Sequence, residues 1–202
     1  MKTMLQFVET IKIEDGKALN LNFHQARMER TMRHFFAPTP VPMLSGILSP
    51  TPDMHFYKAR VVYGGQGVEE VQYAPYKMRE IRSLKLVEDN EIDYSFKSTD
   101  RACLNRLTAQ KGDCDEVLIV KNGLLTDTSF TNVAVFDGER WLTPKHPLLL
   151  GTKRASLIER QVIKEADISV ETLMNAQKVS LINAMIDLGE IEITTQMVNR
   201  GL

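Results

Sequence analysis

The sequence predicts an α+β fold of two lobes, residues 1–88 and 89–202, on three observations. The first half carries strand-like segments joined by tight turns, plus one long helical pattern. An acidic stretch, Glu88-Asp89-Asn90-Glu91, then interrupts the chain, as expected of a boundary between lobes. Beyond it, hairpin signals alternate with short helical patterns.

Leu5, Phe7, Ile11 and Ile13 alternate in part over residues 4–13, and Glu14-Asp15-Gly16-Lys17 reads as a hairpin turn. Asn22 is placed to cap a helix running to about Phe36, with Met28, Met32 and Phe35 at helical spacing. Pro38, Pro40, Pro42, Pro50 and Pro52 make the stretch from Ala37 to Pro52 a loop. Phe56–Tyr63 and Val68–Tyr73 read as strands joined across Gly64-Gly65-Gln66-Gly67, and Ile81 to Val87 as a third extended segment of the first lobe. In the second lobe a helix is expected over Asp100–Ala109. A strand at Val117–Lys121 should turn at Asn122-Gly123, and Val133–Phe136 should pair with Trp141–Thr143 around Asp137-Gly138. From Thr152, Ala155, Ile158, Val162 and Ala166 fall on one helical face.

The chain has 202 residues, 43% of them hydrophobic and 25% charged, an ordinary globular balance. A formal net charge of −1 argues against nucleic acid or an anionic membrane surface as the main partner. No apolar signal run follows Met1-Lys2-Thr3-Met4, and no stretch is apolar for the roughly 18 residues of a membrane span. Cys103, Cys114 and four His form no metal-ligand pattern, so a cytoplasmic protein with reduced thiols is expected.

Several residues could carry chemistry, and each has an ordinary alternative. Lys97, between Tyr94, Phe96 and a helix start, is either a solvated surface charge or a desolvated amine nucleophile. Asp127 is either a turn residue or a carboxylate set beside a protonated ring nitrogen. Ser129, Thr131 and Asn132 are turn residues, or they bond a phosphate or a ring oxygen. Gly151-Thr152 opens a helix whose first amides suit an anion, though most helix starts hold none. Arg27, with Arg30 and His34, forms a basic stripe that is either solvated or turned on a phosphate.

In order and together, these blocks resemble the class IV aminotransferases, the fold-type IV pyridoxal-phosphate enzymes. Phe7-Val8-Glu9-Thr10, Asp15-Gly16 and His24-Gln25-Ala26-Arg27 are similar to the family's F-E-T … G … H-x-x-R entry. Thr126-Asp127-Thr128-Ser129-Phe130-Thr131-Asn132 is similar to T-E-x-S-x-x-N, and Leu150-Gly151-Thr152-Lys153-Arg154 to P-G-I-T-R. The resemblance implies pyridoxal 5′-phosphate as cofactor, Lys97 in the second lobe as its Schiff-base lysine and Arg27 on its phosphate. It further implies Asp127 on the pyridine nitrogen, with Ser129, Thr131, Asn132, Gly151, Thr152 and Lys153 completing the cofactor site. It implies a small-molecule substrate and a homodimer as well. Three departures stand out. Asp127 is one methylene shorter than the usual glutamate, Lys153 and Thr152 replace the threonine and isoleucine of the glycine block, and the chain begins almost at the F-E-T block, a shortened N-terminus.

Two segments favour a lyase that converts 4-amino-4-deoxychorismate to 4-aminobenzoate and pyruvate. Leu104-Asn105-Arg106-Leu107 resembles a run that lyases carry after the lysine, and Ile182-Asn183-Ala184-Met185 resembles their N-A-L/M segment. The alternatives are a D-amino acid or branched-chain amino acid aminotransferase and, further off, a non-catalytic binding relative.

Overall fold

The computed structural model describes residues 5–200; the Met1–Met4 start read above lies outside them. It divides into two compact units, one of residues up to Lys77 together with Phe96–Asp100, the other of Met78–Ser95 and the chain from Arg101 onward. The division thus falls earlier than the 88/89 boundary expected from the acidic stretch. The short segment carrying Lys97 groups with the first unit rather than the second.

The first unit is an antiparallel sheet with one long helix. Strand β1 (Phe7–Glu14) turns through Asp15 (φ 47°) and Gly16 (φ 72°) into β2 (Lys17–Ala18), the left-handed pair that an Asp-Gly hairpin favours. Helix α1 (Leu21–Phe36) starts earlier than expected: its cap is Asn20, in left-handed geometry and without a side-chain cap bond, and Asn22 lies inside the first turn. A short α2 (Leu44–Ile47) interrupts the proline-rich loop. Strands β3 (Phe56–Gly64) and β4 (Gly67–Pro75) complete the order β2-β1-β3-β4. Inward positions of β1 and β3 meet Met28 and Met32 of α1, and Phe96 packs against the same core. Lys97 and its neighbours lie along β1: Val8 N donates to the Lys97 carbonyl (3.0 Å), Thr99 N donates to the Gln6 carbonyl (3.0 Å), and Ser98 bridges Phe7.

The second unit is a mixed nine-stranded sheet. Strand β5 (Leu84–Glu88) belongs here and not to the first lobe, because it pairs in parallel with β6 (Glu116–Lys121) after α3 (Ala102–Thr108). The Asn122-Gly123 turn leads to β7 (Leu124–Thr128), followed by β8 (Asn132–Phe136), β9 (Trp141–Pro144) and α4 (Thr152–Glu159). The helical face expected to reach Ala166 is cut short. Gln161 adopts φ 58°, which ends the helix, and β10 (Ile163–Ala166) pairs in parallel with β9. Helix α5 (Val170–Asn175), β11 (Lys178–Ile182), β12 (Glu192–Thr194), a 3₁₀ turn (Thr195–Met197) and β13 (Val198–Asn199) follow. Strand β11 pairs with β8, so residues 132–136 sit between three neighbours at the centre of the unit.

Candidate active site

The candidate residues fall into two clusters, one in each unit. In the first unit, Glu9 occupies the inward position of β1 between Phe7 and Ile11, fully buried. A carboxylate there demands partners. The Arg27 fork supplies them, with Nε on Oε1 at 2.9 Å and a second nitrogen on Oε2, and His24 Nδ1 reaches Oε2 at 2.6 Å. Burial alone would push the Glu9 carboxyl up. The Arg27 charge and the bonds from His24 and Arg27 outweigh that and hold it at about 2. The ionised carboxylate can only accept, so His24 Nδ1 carries the proton that it donates. Burial, opposed by Glu9, lowers the His24 pKa, and the charges of Arg27 and Lys97 lower it further. The imidazole is therefore neutral at neutral pH. The basic stripe on α1 is not uniform: Arg27 is buried, whereas Arg30 and His34 are exposed. Lys97, half-buried, shares the His24 neighbourhood with Arg27.

In the second unit Asp127 lies within the buried run of β7. Asn132 Nδ2 donates to its Oδ1 (2.8 Å) and Leu149 N to its Oδ2 (2.8 Å). Both are neutral donors, and no cation lies within ion-pair distance of Asp127 among the described residues. Burial pushes the carboxyl up to about 7, with the Leu149 and Asn132 bonds and the Arg154 charge pulling the other way. A dry carboxylate held by neutral donors and lacking an adjacent cation is the environment in which a protonated pyridine nitrogen is stabilised.

Asn132 also donates to the Leu149 carbonyl (2.8 Å), and its Oδ1 lies against Gly151, the cap of α4. Asp127, Asn132 and the α4 start are thus one cluster. The missing Cβ at Gly151 lets the α4 start close on Asn132, and the first amides of a helix suit a phosphate. The residues present fit the cofactor implied by the sequence.

Other candidates point elsewhere. Ser129 Oγ donates to Glu116 Oε2 (2.9 Å), and the Thr131 and Thr128 hydroxyls share a bond of 2.7 Å. Lys153 pairs with Asp187, and the Arg154 side chain donates to the Pro144 carbonyl and to Glu165. Thr152 is buried. Among the described residues no group of three or more His, Cys, Asp or Glu could hold a metal, and no helix is long and apolar enough to cross a membrane.

Sequence reasoning gave Glu9 no task. Its signal was the one polar residue at an inward register position of an otherwise apolar strand. Glu116 and the Leu149 amide carried no signal, since both act through contacts distant in sequence.

A family model, amino-transferase class IV, matches residues 6–192. A Haemophilus influenzae protein without an assigned function is 38% identical over 186 residues, 90% of this chain and 98% of that one. A Schizosaccharomyces pombe protein provisionally named an aminodeoxychorismate lyase is 32% identical over 127 residues, 58% of this chain and 54% of its own. Among solved structures, a protein of Haemophilus somnus 129PT provisionally named a 4-amino-4-deoxychorismate lyase superposes with a TM-score of 0.84 at 34% identity. That match covers 93% of this chain and all of the other.

Proposed function

We infer the reaction from the family: the chain belongs to the class IV amino-transferases, which are pyridoxal 5′-phosphate enzymes. The fold does not choose among their reactions. The reading best supported is a lyase that splits 4-amino-4-deoxychorismate into 4-aminobenzoate and pyruvate. The observation that carries it is the Asn183-Ala184-Met185 turn. There Asn183 Oδ1 accepts from Met185 N (2.8 Å) and Ile186 N (3.0 Å), while its Nδ2 donates to the Phe130 carbonyl (3.2 Å). The lyase-like segment is thereby joined to the turn that follows Asp127. The provisional lyase names of the Haemophilus somnus and Schizosaccharomyces pombe proteins point the same way.

When bound, the cofactor supplies an electron sink for the bond-breaking steps. The chain's residues supply the rest. Asp127, oriented by Asn132 and Leu149, would keep the ring nitrogen protonated. In the second unit the amides at Gly151-Thr152 would hold the phosphate; Arg27, oriented by Glu9, is the anion-binding residue of the first unit. Lys97 Nζ takes the proton from the ring carbon bearing the amine. The carbon–oxygen bond to the enolpyruvyl group then breaks, the ring becomes aromatic, and the departing enolate takes up a proton to become pyruvate. No water and no second substrate are consumed.

Cofactor-loaded protein mixed with 4-amino-4-deoxychorismate should release 4-aminobenzoate and pyruvate in equal amounts without any keto acid added. Amino-group exchange between D- or branched-chain amino acids and 2-oxoglutarate, with no 4-aminobenzoate formed, would replace this reading with an aminotransferase.

A further inference from the structure

Two arginines of the second unit converge on one turn without an acid to neutralise them. Arg101, the residue before α3, is half-buried and donates one guanidinium N–H to the Ser129 carbonyl (2.8 Å). The Arg79 guanidinium lies over the Phe130 ring, 5.0 Å from its centroid. Among the described residues, neither has a carboxylate within ion-pair distance, whereas Arg82, Arg106, Arg140 and Arg154 of the same unit each pair with one. A guanidinium has five donors in a fixed fork, and a partly desolvated one gains most from a planar anion that takes two of them.

The turn they meet is rigid. Thr128 N donates to the Thr131 carbonyl (2.9 Å), Ser129 Oγ to Glu116, and Asn183 Nδ2 to the Phe130 carbonyl. Glu116 forms no ion pair with either arginine among the described residues; its oxygens accept from Ser129 Oγ (2.9 Å) and Val117 N (2.8 Å). Two residues before the turn is Asp127.

We propose that Arg101, assisted by Arg79, binds a carboxylate of the substrate beside the Ser129–Phe130 turn, an assignment that rests on the cofactor site read above. The ligand class is a planar carboxylate; under the lyase reading it is the ring carboxylate that survives in 4-aminobenzoate. Arg101 provides the bidentate fork. Arg79, held on the Phe130 face, adds a second positive charge from the solvent side.

The test titrates holoenzyme with 4-aminobenzoate and with aniline, which lacks the carboxylate, in wild type, Arg101→Gln, Arg101→Lys and Arg79→Gln. Wild type is expected to bind 4-aminobenzoate more tightly than aniline. Arg101→Gln should weaken 4-aminobenzoate about 10–100-fold, the range of a lost charged hydrogen bond, and leave aniline affinity and cofactor content unchanged. Arg101→Lys should recover part of the loss, and Arg79→Gln should cause a smaller one. Unchanged 4-aminobenzoate affinity in Arg101→Gln, or equal losses for both ligands, overturns the assignment. If wild type binds no 4-aminobenzoate, it is the lyase reading that fails. The arginines are then judged on the amino acids and keto acids that the enzyme turns over: a raised KM at near-constant kcat in Arg101→Gln supports the site, and an unchanged KM overturns it.

Discussion

Gly151 leaves no room for a side chain because a Cβ there would stand 1.8 Å from Asn132 Oδ1. The φ of Gly151, −73°, is open to any residue, so the requirement is purely one of space. Asn132 also holds Asp127, which makes the helix start and the acid a single packed object.

Gly151→Ala should therefore act on both ends of that object. Displacing Asn132 breaks its bonds to Asp127 and to the Leu149 carbonyl, at a cost of about 1–3 kcal/mol for overpacking a rigid site. Urea melts of the cofactor-free protein measure it. In the double variant Gly151→Ala/Asn132→Ala the collision is gone, so the combined loss should be smaller than the sum of the single losses. Strict additivity would show that the two residues do not interact.

The Glu9–Arg27 pair is buried, so removing one partner strands the other. Arg27→Ala is expected to cost about 3–5 kcal/mol of stability, with much of it recovered in Glu9→Gln/Arg27→Ala. Because the folded pKa of Glu9, about 2, lies below the ordinary 4.5, its contribution is fully present above about 4.5 and fades as pH falls toward 2. The penalty of Arg27→Ala should shrink across that window. A penalty independent of both Glu9 and pH would place the importance of Arg27 elsewhere.

The parts of the fold legible in sequence were those fixed locally. The Asp15-Gly16 and Asn122-Gly123 turns, the Met28–Met32 face of α1 and the paired strands around Gly64–Gly67 follow from residue-level preferences. What could not be read depended on partners far along the chain. Strand β5 reads as a continuation of the first three strands, yet its edge is matched by β6 and β13. Lys97 follows the acidic stretch, yet its backbone is tied to β1. The apolar face drawn through Val162 and Ala166 was a coincidence of spacing: Gln161 turns the chain, and a parallel neighbour claims residues 163–166. The candidate site shows the same division. Motif residues were identifiable by type and order, but not the inward turn of the Ser129 and Thr131 hydroxyls or the diversion of Lys153 to Asp187.

Asp127 gives a pH signature of the opposite sign to Glu9. Its carboxyl ionises near 3.8 in the unfolded chain but is held up at about 7 by burial in the fold. Folding therefore takes up a proton between those values, and stability falls as pH rises through that window and is level beyond it. Asp127→Asn lacks this slope, so in cofactor-free protein the variant should gain on wild type as pH climbs from about 4 to about 7. If Asp127 faces a cationic ring nitrogen as proposed, loading the cofactor should remove most of the wild-type slope. A wild-type-to-variant difference that stays constant with pH would mean that Asp127 is ionised throughout.

Lys97 is the residue expected to carry the cofactor covalently. Its backbone is fixed by Val8, its flanking Phe96 is packed among Phe7, Phe35 and His34, and its charge is felt at His24 beside Arg27. Competing amines are committed within the second unit: Lys121 Nζ donates to the Ile92 carbonyl (2.6 Å), Lys111 Nζ to the Cys114 carbonyl (3.1 Å), and Lys153 pairs with Asp187. Borohydride reduction of the loaded protein followed by peptide mass analysis should place a pyridoxyl group on Lys97. Lys97→Arg keeps the charge but not the nucleophilic amine. It should yield no labelled peptide and lose turnover by about 10²–10⁴ or more, the range for removing one acid–base group. A label on Lys111, Lys121 or Lys153, or full turnover in Lys97→Arg, would move the reacting amine to another residue and with it the assignment of the whole first-unit cluster.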